Sequence, residues 1–372
     1  LEPKATAAVE ATKKINFFNL TRLQLEAELM GSGKERFRAT QLFQWVYKKG
    51  ITDVGQMSNL SKEFRTQIQH KFDFHLPTVA KSVVSRDETR KLLVNVGEGK
   101  TVETVMIPSE DRMTLCVSSE IGCNMACQFC FTGKQKLQRR LEAFEIVAQF
   151  LRAKGELEAQ NPQTHKLTNI VFMGMGEPLD NLPGVFDAIS IICDDHGLNF
   201  SKKKITVSTS GLVPQIPEVS KAGVRLAVSL NASSDEMRDI IMPINKRYPL
   251  KELMKACHEY YLETKDRITF EYVILKGVND TLEDARKVHQ IVKGVPCKLN
   301  LIPFNEHEGS EFVRPEMSAV LKFQNELIRL GHSVFIRRTM GRDIYAACGQ
   351  LRSKFENHPG WRKELAADAV LQ

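Results

Sequence analysis

Cys123, Cys127 and Cys130, in the stretch GCNMACQFCFTG, are the densest set of reactive side chains in this chain of 372 residues. Bridges between thiols so close in one loop would be strained, and eight cysteines are too few for a disulfide scaffold in a chain of this length. The three therefore read as ligands or reagents. A structural zinc site closes four ligands, commonly from two separated Cys-x-x-Cys knuckles. Here there is one C-x3-C-x2-C cluster and no second knuckle, which disfavours zinc. A loop offering three thiolates suits an iron–sulfur cluster in which one iron keeps an open position for a non-protein ligand. Phe129 and Phe131 flank the last cysteine and would screen such a cluster from water. Zinc and unliganded packing thiols are the competing readings.

A centre of this kind needs a scaffold to aim it. Short β-branched runs recur with helical stretches between them: MTLCVSS (113–119), TNIVFMG (168–174), KITVSTS (204–210), VRLAVSL (224–230), ITFEYVIL (268–275) and KLNLIPF (298–304), with SVFIRR (333–338) as an extra strand. Strand, helix, strand at this spacing predicts parallel βαβ units. Six such units, with no G-x-G-x-x-G after the first strand, suit an α/β barrel or part of one better than a Rossmann sheet. Polar residues and glycines sit at the strand exits, from Gly122 to Cys130, Gly174 to Glu177, Ser208 to Gly211, Ser229 to Asn231, and at Asn305. Those exits would line the face where such folds keep their chemistry.

Ahead of the barrel, RATQLFQWVYKKG has an apolar face of Leu42, Phe43, Trp45, Val46 and Tyr47 with Gly50 as a stop, the pattern of a helix in a small helical domain. Lys34, Arg36, Arg38, Lys48 and Lys49 lie among its aromatics, a composition suited to RNA contact, with Phe43 and Trp45 as core. Residues 79–107 alternate like antiparallel strands, a connector carrying a β-hairpin. The expected domains are a polar, disordered tail at 1–14, a helical accessory domain at 15–78, the connector at 79–112, the barrel at 113–340 and a C-terminal segment at 341–372.

The balance of 52 basic and 45 acidic residues leaves a net charge of +7, concentrated in GKQKLQRR (133–140), SKKK (201–204) and IRRTMGR (336–342). Such clusters suit a polyanionic partner, and equally suit solvated helix ends. No run of 18 apolar residues appears, and LEPKATAAVEATKK lacks the apolar stretch of a secretory signal, so a cytoplasmic protein with no membrane partner is expected. The chain opens on Leu1 rather than Met, which points to a trimmed or replaced start.

The cysteine loop, following the first strand of an α/β barrel, resembles the radical S-adenosylmethionine (SAM) superfamily, in which the open iron binds the amino and carboxylate groups of SAM. GMGEP (174–178) resembles that superfamily's motif for the methionine end of the cofactor. Glycines there let backbone approach the ligand, and Glu177 can pair with the ammonium group. Over nearly the whole chain, VETVMIP (102–108), LCVSSEIGCNMACQFC (115–130), MGMGEPLDN (173–181), STSG (208–211), MPINKRYP (242–249), NLIPFN (300–305) and GRDIYAACGQL (341–351) resemble the RlmN family, the adenine-methylating branch that also includes Cfr. The resemblance implies an α/β fold with a partial (β/α)6 radical SAM barrel and an N-terminal helical accessory domain. It also implies one 4Fe–4S cluster on Cys123, Cys127 and Cys130, with its fourth iron position left for SAM. The reaction it implies is methylation of carbon 2 of an adenine in the peptidyl-transferase region of 23S rRNA, and of the adenine beside the tRNA anticodon. An external electron donor of flavodoxin type and a monomeric state come with it.

The chemistry explains why further cysteines are wanted. SAM is an electrophilic methyl donor and carbon 2 of adenine is electron-poor, so direct polar transfer is mismatched. In the family's solution Cys348 is the nucleophile that first takes a methyl group from one SAM. A second SAM yields a 5′-deoxyadenosyl radical that removes hydrogen from the S-methyl group, and the S-methylene radical adds to carbon 2. Cys116 then resolves the RNA–protein adduct by forming a disulfide with Cys348. Glu103 matches the family's general base, a role Cys116 could also take. Gly176, Glu177, Ser208, Ser229, Leu230, Asn231 and Asn305 match the SAM contacts, although the family usually has histidine at the position of Asn231 and a smaller residue at that of Phe131. Arg337, Arg338 and Arg342 would favour the Cys348 thiolate and hold RNA phosphates.

Without the resemblance, Cys116 and Cys348 read as small buried hydrophobes and Glu103 as a strand carboxylate. Cys193, Cys257 and Cys297 are assigned to packing. Two alternatives stand beside carbon-2 methylation: a Cfr-like carbon-8 methyltransferase conferring antibiotic resistance, and a non-catalytic iron–sulfur or zinc RNA-binding protein. The second leaves Cys116, Cys348 and GMGEP unexplained.

Overall fold

Aromatic side chains organise the N-terminal part of the molecule. In the computed structural model, which describes residues 14–160 and 166–351, strand β1 (Ile15–Asn16) pairs in parallel with β2 (Phe72–Asp73). Three helices lie between them: α1 (Arg22–Met30), α2 (Phe37–Phe43) and α3 (Lys62–Lys71). The expected tail lies outside the described residues except for Lys14, as does the C-terminal segment beyond residue 351. A capping box between Thr21 and Gln24 starts α1, and Ser61 starts α3 by accepting from the Phe64 amide. A π-helical turn at Gln44–Lys48 continues α2 and buries Trp45, Val46 and Tyr47. Phe17, fully buried, stacks on Phe74 at 5.0 Å between ring centroids and meets Tyr47 at 5.9 Å and Phe43 at 6.0 Å. Phe43 and Trp45 are core as expected, and the Lys49 ammonium sits 3.5 Å from the Trp45 ring centroid.

Four strands follow, β3 (Val79–Val84), β4 (Arg90–Asn95), β5 (Thr101–Ser109) and β6 (Arg112–Cys116), each antiparallel to the next of the four. The stretch read as a hairpin connector thus supplies three strands that pair onto β6 and extend the main sheet. The long loop after β6 is pinned by a small antiparallel pair, β7 (Glu120–Ile121) with β8 (Arg139–Arg140). Beyond it helices and strands alternate: α4 (Ala143–Gln160), β9 (Asn169–Phe172), α5 (Leu182–Cys193), β10 (Ile205–Thr209), α6 (Ile216–Ala222) and β11 (Arg225–Ser229). Then come α7 (Asp235–Ile241), α8 (Leu250–Thr264), β12 (Ile268–Ile274), α9 (Leu282–Val292), β13 (Cys297–Pro303), α10 (Met317–Arg329) and β14 (Val334–Ile336).

Within the main sheet every pairing from β6 onward is parallel and the spatial order follows the chain, β6-β9-β10-β11-β12-β13-β14. Sequential parallel strands joined by crossovers of one hand gather their helices on one face and curl the sheet. The six expected units are present, with β14 as the extra strand, and the ten-stranded sheet ends at β14 and β3 rather than closing on itself. Side-chain alternation divides the strands between two environments. Ile205, Val207, Leu226, Val228, Ile268, Phe270, Tyr272, Leu299 and Leu301 join the main core. The intervening Ser208, Ser229, Glu271, Val273 and Ile302 face a cavity.

The aromatic cluster sets a test of how the N-terminal helices are held. Phe17→Ala should cost about 3–5 kcal/mol, read from the urea midpoint of the intact protein. An unchanged midpoint would mean that this cluster unfolds outside the main cooperative transition.

Candidate active site

The cavity, of about 160 Å³, lies where the parallel strands end. Its walls come from the cysteine loop, from Gly174, Gly176 and Glu177 after β9, from Ser208, Ser229 and Asn231, from Glu271 and Asn305, and from Arg337 and Cys348. A second cavity of about 30 Å³ shares Met173, Ile302, Asn305, Arg337 and Cys348 with the first and adds Cys116. The structure thus brings together all three loop cysteines, both further cysteines and all the expected SAM contacts but one. Leu230 is fully buried behind the wall, where its amide donates to the Glu271 carbonyl at 3.0 Å. Glu103, in β5, is not on either wall. It is buried, and its carboxylate lies 2.9 Å from the Lys91 ammonium.

The cysteine loop is held by its backbone. The Cys123 amide donates to the Gln135 carbonyl (3.1 Å), that of Gln128 to Ile241 (3.0 Å) and that of Cys130 to Cys127 (3.1 Å). Ala126 adopts φ +53°, a left-handed conformation costly for a residue with a Cβ, of the kind that collects at functional sites. At Gly133 a Cβ would lie 2.7 Å from the Cys127 carbonyl oxygen, so only glycine lets the loop turn back on itself. Phe129, Met242 and Phe304 form an apolar cluster onto which Cys127 and Cys130 pack, while Phe131 sits edge-on to His307 at 5.5 Å.

Burial raises the proton affinity of all three thiols, and bound iron, by its charge, favours the thiolates. Among the described residues no three Cys, His, Asp or Glu side chains converge tightly enough for a single metal ion. A zinc ion with bonds of about 2.3 Å requires that convergence, whereas a polynuclear cluster takes sulfurs set further apart. Three soft donors on one wall, in an apolar setting, fit an iron–sulfur cluster.

At the strand exits, Glu177 is buried and its carboxylate accepts from the Ser210 amide (2.7 Å), the Ser210 hydroxyl (2.8 Å) and the Leu179 amide (3.1 Å). Burial raises its pKa against those donors, so an ammonium group arriving beside it restores a charge balance. Gly176, at φ +95°, has no room for a side chain, because a Cβ would lie 2.5 Å from that of Glu120. Asn231 stands at φ +54°, a conformation asparagine tolerates. Its Oδ1 accepts from the Val273 amide at 2.8 Å and its Nδ2 faces the Met242 sulfur at 3.2 Å. The amide is therefore a scaffold for the β11–β12 exits as well as a cavity wall.

Two arginines absent from the sequence reading shape this mouth. Arg238, fully buried in α7, donates to the carbonyls of Ser210 (2.6 Å), Ser229 (2.9 Å) and Leu230 (3.1 Å) and to Asn245 Oδ1 (2.9 Å). Its burial lowers its pKa to about 10. Arg314 donates to the Phe304 carbonyl (2.8 Å), to Asn305 Oδ1 (3.1 Å) and to Thr339 Oγ1 (3.1 Å). In DEMRDII, Arg238 has the look of a surface residue and gives no signal. Glu271 gives one, as the only charge in the apolar run ITFEYVIL. Of the three arginines expected to favour the Cys348 thiolate and hold RNA phosphates, Arg337 lines both cavities with Cys348, while Arg338 is exposed and Arg342 pairs with Glu306 at 3.2 Å.

Cys348 hangs from a loop bonded on both sides. Before it, Gly341 donates to Asp87 (2.8 Å) and Asp343 accepts from the Ser85 hydroxyl (2.5 Å). Around it, Asn305 Nδ2 donates to the Cys348 carbonyl (3.2 Å), the Phe131 amide to the Gly349 carbonyl (2.8 Å) and the Thr132 hydroxyl to the Leu351 carbonyl (2.8 Å). Cys116, buried at the end of β6, has its pKa pushed up to about 12, first by burial and then by Cys348, with Arg337 opposing.

A curled parallel sheet with a three-thiol loop after its first parallel strand and a glycine-glutamate turn after the next is the architecture of a radical SAM protein. The family model for the radical SAM superfamily matches residues 119–288, and that for the ribosomal RNA large subunit methyltransferase N-terminal domain matches residues 15–73. The chain is 52% identical over 366 residues to the dual-specificity RNA methyltransferase RlmN of Bdellovibrio bacteriovorus, covering 95% of this chain and 91% of that one. It is 46% identical over 345 residues to the RlmN of Geotalea uraniireducens, covering 92% and 98% respectively. It also superimposes on the crystal structure of a radical SAM methyltransferase from Sphaerobacter thermophilus with a TM-score of 0.84 and 39% identity, covering 91% of this chain and 99% of that one. The chain belongs to the RlmN family.

Two outcomes check this site. Serine at Cys123, Cys127 or Cys130 should abolish the brown iron–sulfur absorbance of protein purified without oxygen, and stoichiometric zinc in the unaltered protein would contradict the cluster. Arg238→Met should cost about 3–5 kcal/mol, because it strands buried polar groups, and should weaken SAM retention in equilibrium dialysis.

Proposed function

We propose that this chain methylates carbon 2 of adenine in RNA, in 23S rRNA and in tRNA beside the anticodon, with Cys348 carrying the methyl group and Cys116 releasing the product. What carries the reading is one juxtaposition: Cys116 and Cys348 share a small cavity that shares walls with the one lined by the three loop thiols. A methyl-carrying thiol and a thiol that releases it must lie within reach of each other and of the SAM site, and this pair meets that requirement. When bound on Cys123, Cys127 and Cys130, the cluster supplies the electron that cleaves SAM to a 5′-deoxyadenosyl radical.

The residues of the chain do the rest. Gly176 leaves backbone open to the methionine end of SAM, and Glu177 meets its ammonium group. Ser208, Ser229, Asn231 and Asn305 surround the remainder, and Leu230 supports them from behind the wall through its backbone bonds to Glu271 and Arg238. Cys348 faces both cavities, so one thiol can take the methyl group on the SAM side and present it to the adenine on the other. Cys116 ends the cycle by attacking the Cys348 sulfur. Glu103, buried outside both walls and paired with Lys91, is retained as the proton acceptor, and the Lys91 contact orients it.

In this reading the helical unit at 15–78 is an RNA-binding accessory domain, the barrel spans 113–340, and the segment from 341 presents Cys348. The enzyme works as a cytoplasmic monomer fed by a flavodoxin-type donor. No helix among the described residues is long and apolar enough to cross a membrane.

The roles of the two cysteines differ in time, which gives the decisive experiment. Cys348→Ala should lose methylation and form no covalent intermediate. Cys116→Ala should accumulate a ribonuclease-sensitive protein–RNA crosslink on denaturing gels, because the adduct forms and cannot be resolved. Normal methylation by Cys116→Ala with no crosslink would make Cys116 a packing residue. Mass spectrometry of digested RNA should find 2-methyladenosine, and 8-methyladenosine in its place would assign the Cfr-like reaction.

A further inference from the structure

Of the residues shared by the two cavities, Arg337 is the only charged one. Its backbone is fixed by a hydrogen bond from its amide to the Leu301 carbonyl at 2.8 Å. Its guanidinium reaches the Met173 sulfur at 3.7 Å, and its side chain lines both cavities together with Cys348 and the smaller one together with Cys116. The interaction with Cys348 is the largest of those that hold its proton affinity above the ordinary arginine value, followed by burial, which opposes it, and then by Glu271 and Cys116. Glu271 is buried on the concave face of β12 and accepts from Asn300 Nδ2 at 2.7 Å. Glu271 has no part in the steps assigned above, and Arg337 only the expected one of favouring the Cys348 thiolate.

A thiol must be a thiolate to act as a nucleophile, and the reaction needs two thiolates at different times. In the first step Cys348 attacks the methyl carbon of SAM. The new S–C bond forms as the sulfonium C–S bond breaks, and that electron pair leaves with the departing sulfur as S-adenosylhomocysteine. The thiolate and sulfonium charges vanish together, and Cys348 becomes a neutral thioether that no longer needs a cation.

In the last step Cys116 attacks the Cys348 sulfur. The S–S bond forms as the bond from Cys348 to the adenine-bound carbon breaks. That carbon keeps the electron pair and takes a proton to become the methyl group, so the two cysteines are oxidised as the adduct carbon is reduced, with no outside oxidant. The electrostatics favour that order, because Cys348 itself helps hold the Cys116 proton in place.

We propose that Arg337 is one cation serving both cysteines in turn, stabilising the Cys348 thiolate until methylation neutralises it and the Cys116 thiolate afterwards, with Glu271 as the counter-charge that shares its field. One guanidinium suffices because the two thiolates are never required together, and a second would be a costly unpaired charge in the same enclosure. This rests on the two-cysteine reading above.

The test uses holoenzyme handled without oxygen and needs neither RNA nor SAM: the Cys116–Cys348 disulfide is equilibrated against glutathione buffers and scored by thiol-labelling mass spectrometry. A cation that stabilises thiolates makes a disulfide easier to reduce. Arg337→Gln should therefore make the disulfide at least tenfold harder to reduce, a shift of about 30 mV, while Arg337→Lys should stay within about threefold of the unaltered enzyme. Glu271→Gln should move the equilibrium the opposite way, toward easier reduction, because the arginine's field is no longer shared. Damage to packing would move both glutamine variants in the same direction, and that result would overturn the proposal, as would an equilibrium indifferent to Arg337→Gln. Arg337→Gln should also slow S-methylation of Cys348 by SAM at least tenfold. If the unaltered enzyme forms no Cys116–Cys348 disulfide at all, the two-cysteine reading falls and the proposal with it.

Discussion

A parallel sheet that stops to make room for a ligand leaves carbonyl oxygens at its edge with no strand to bond, and buried carbonyls need donors. In this protein much of that need is met by two guanidinium groups. Arg238 gathers the ends of β10 and β11, and Arg314 gathers the end of β13 with the strand's polar neighbour Asn305. A planar group with several fixed donors can bind carbonyls from separate strands at once. Every small or polar side chain that faces the cavity from these strands inherits its position from that bonding. Asn245 and Asp235 extend it: Asn245 takes one donor of Arg238 and bonds Asp235 in turn, which draws the MPINKRYP stretch under the mouth.

The parallel half of the fold was legible because its signal is repetitive. Each strand carries an apolar set for the helix side and a small or polar set for the concave side, and KITVSTS and VRLAVSL show both within a few residues. The antiparallel extension was less legible. Whether a β-hairpin stands apart or adds to a neighbouring sheet depends on which edge is free, and local alternation carries no record of that. The aromatic core of the N-terminal helices was visible as a face, but the π-helical turn that points Trp45, Val46 and Tyr47 inward was not, since an inserted residue in a helix leaves no periodic trace.

The candidate site divides in the same way. Residues bound by close sequence spacing, the thiol loop and the GMGEP turn, announced themselves. Those whose meaning comes from distant partners did not. Arg337 sits in a basic run that reads as a partner of both the Cys348 thiolate and RNA phosphate, and only the fold, where it follows the β13–β14 pairing, puts it on the cavity wall with Cys348 and Glu271. Glu103 matched a functional position by resemblance, and only the folded β4–β5 pair brings Lys91 onto it. Asn231 looked like a departure from a histidine, and its left-handed backbone and amide bonds give it a local reason that no side-chain comparison contains.

The loop that holds the thiol triad and the loop that holds Cys348 are joined to each other by the Phe131–Gly349 and Thr132–Leu351 hydrogen bonds. Two segments 219 residues apart in the chain thus act as one machined part with a shared tolerance. A residue added to either would slip both, displacing the centre and the methyl carrier by the same stroke. A change of length is harmless only where the chain answers to nothing else, and these two loops answer to each other.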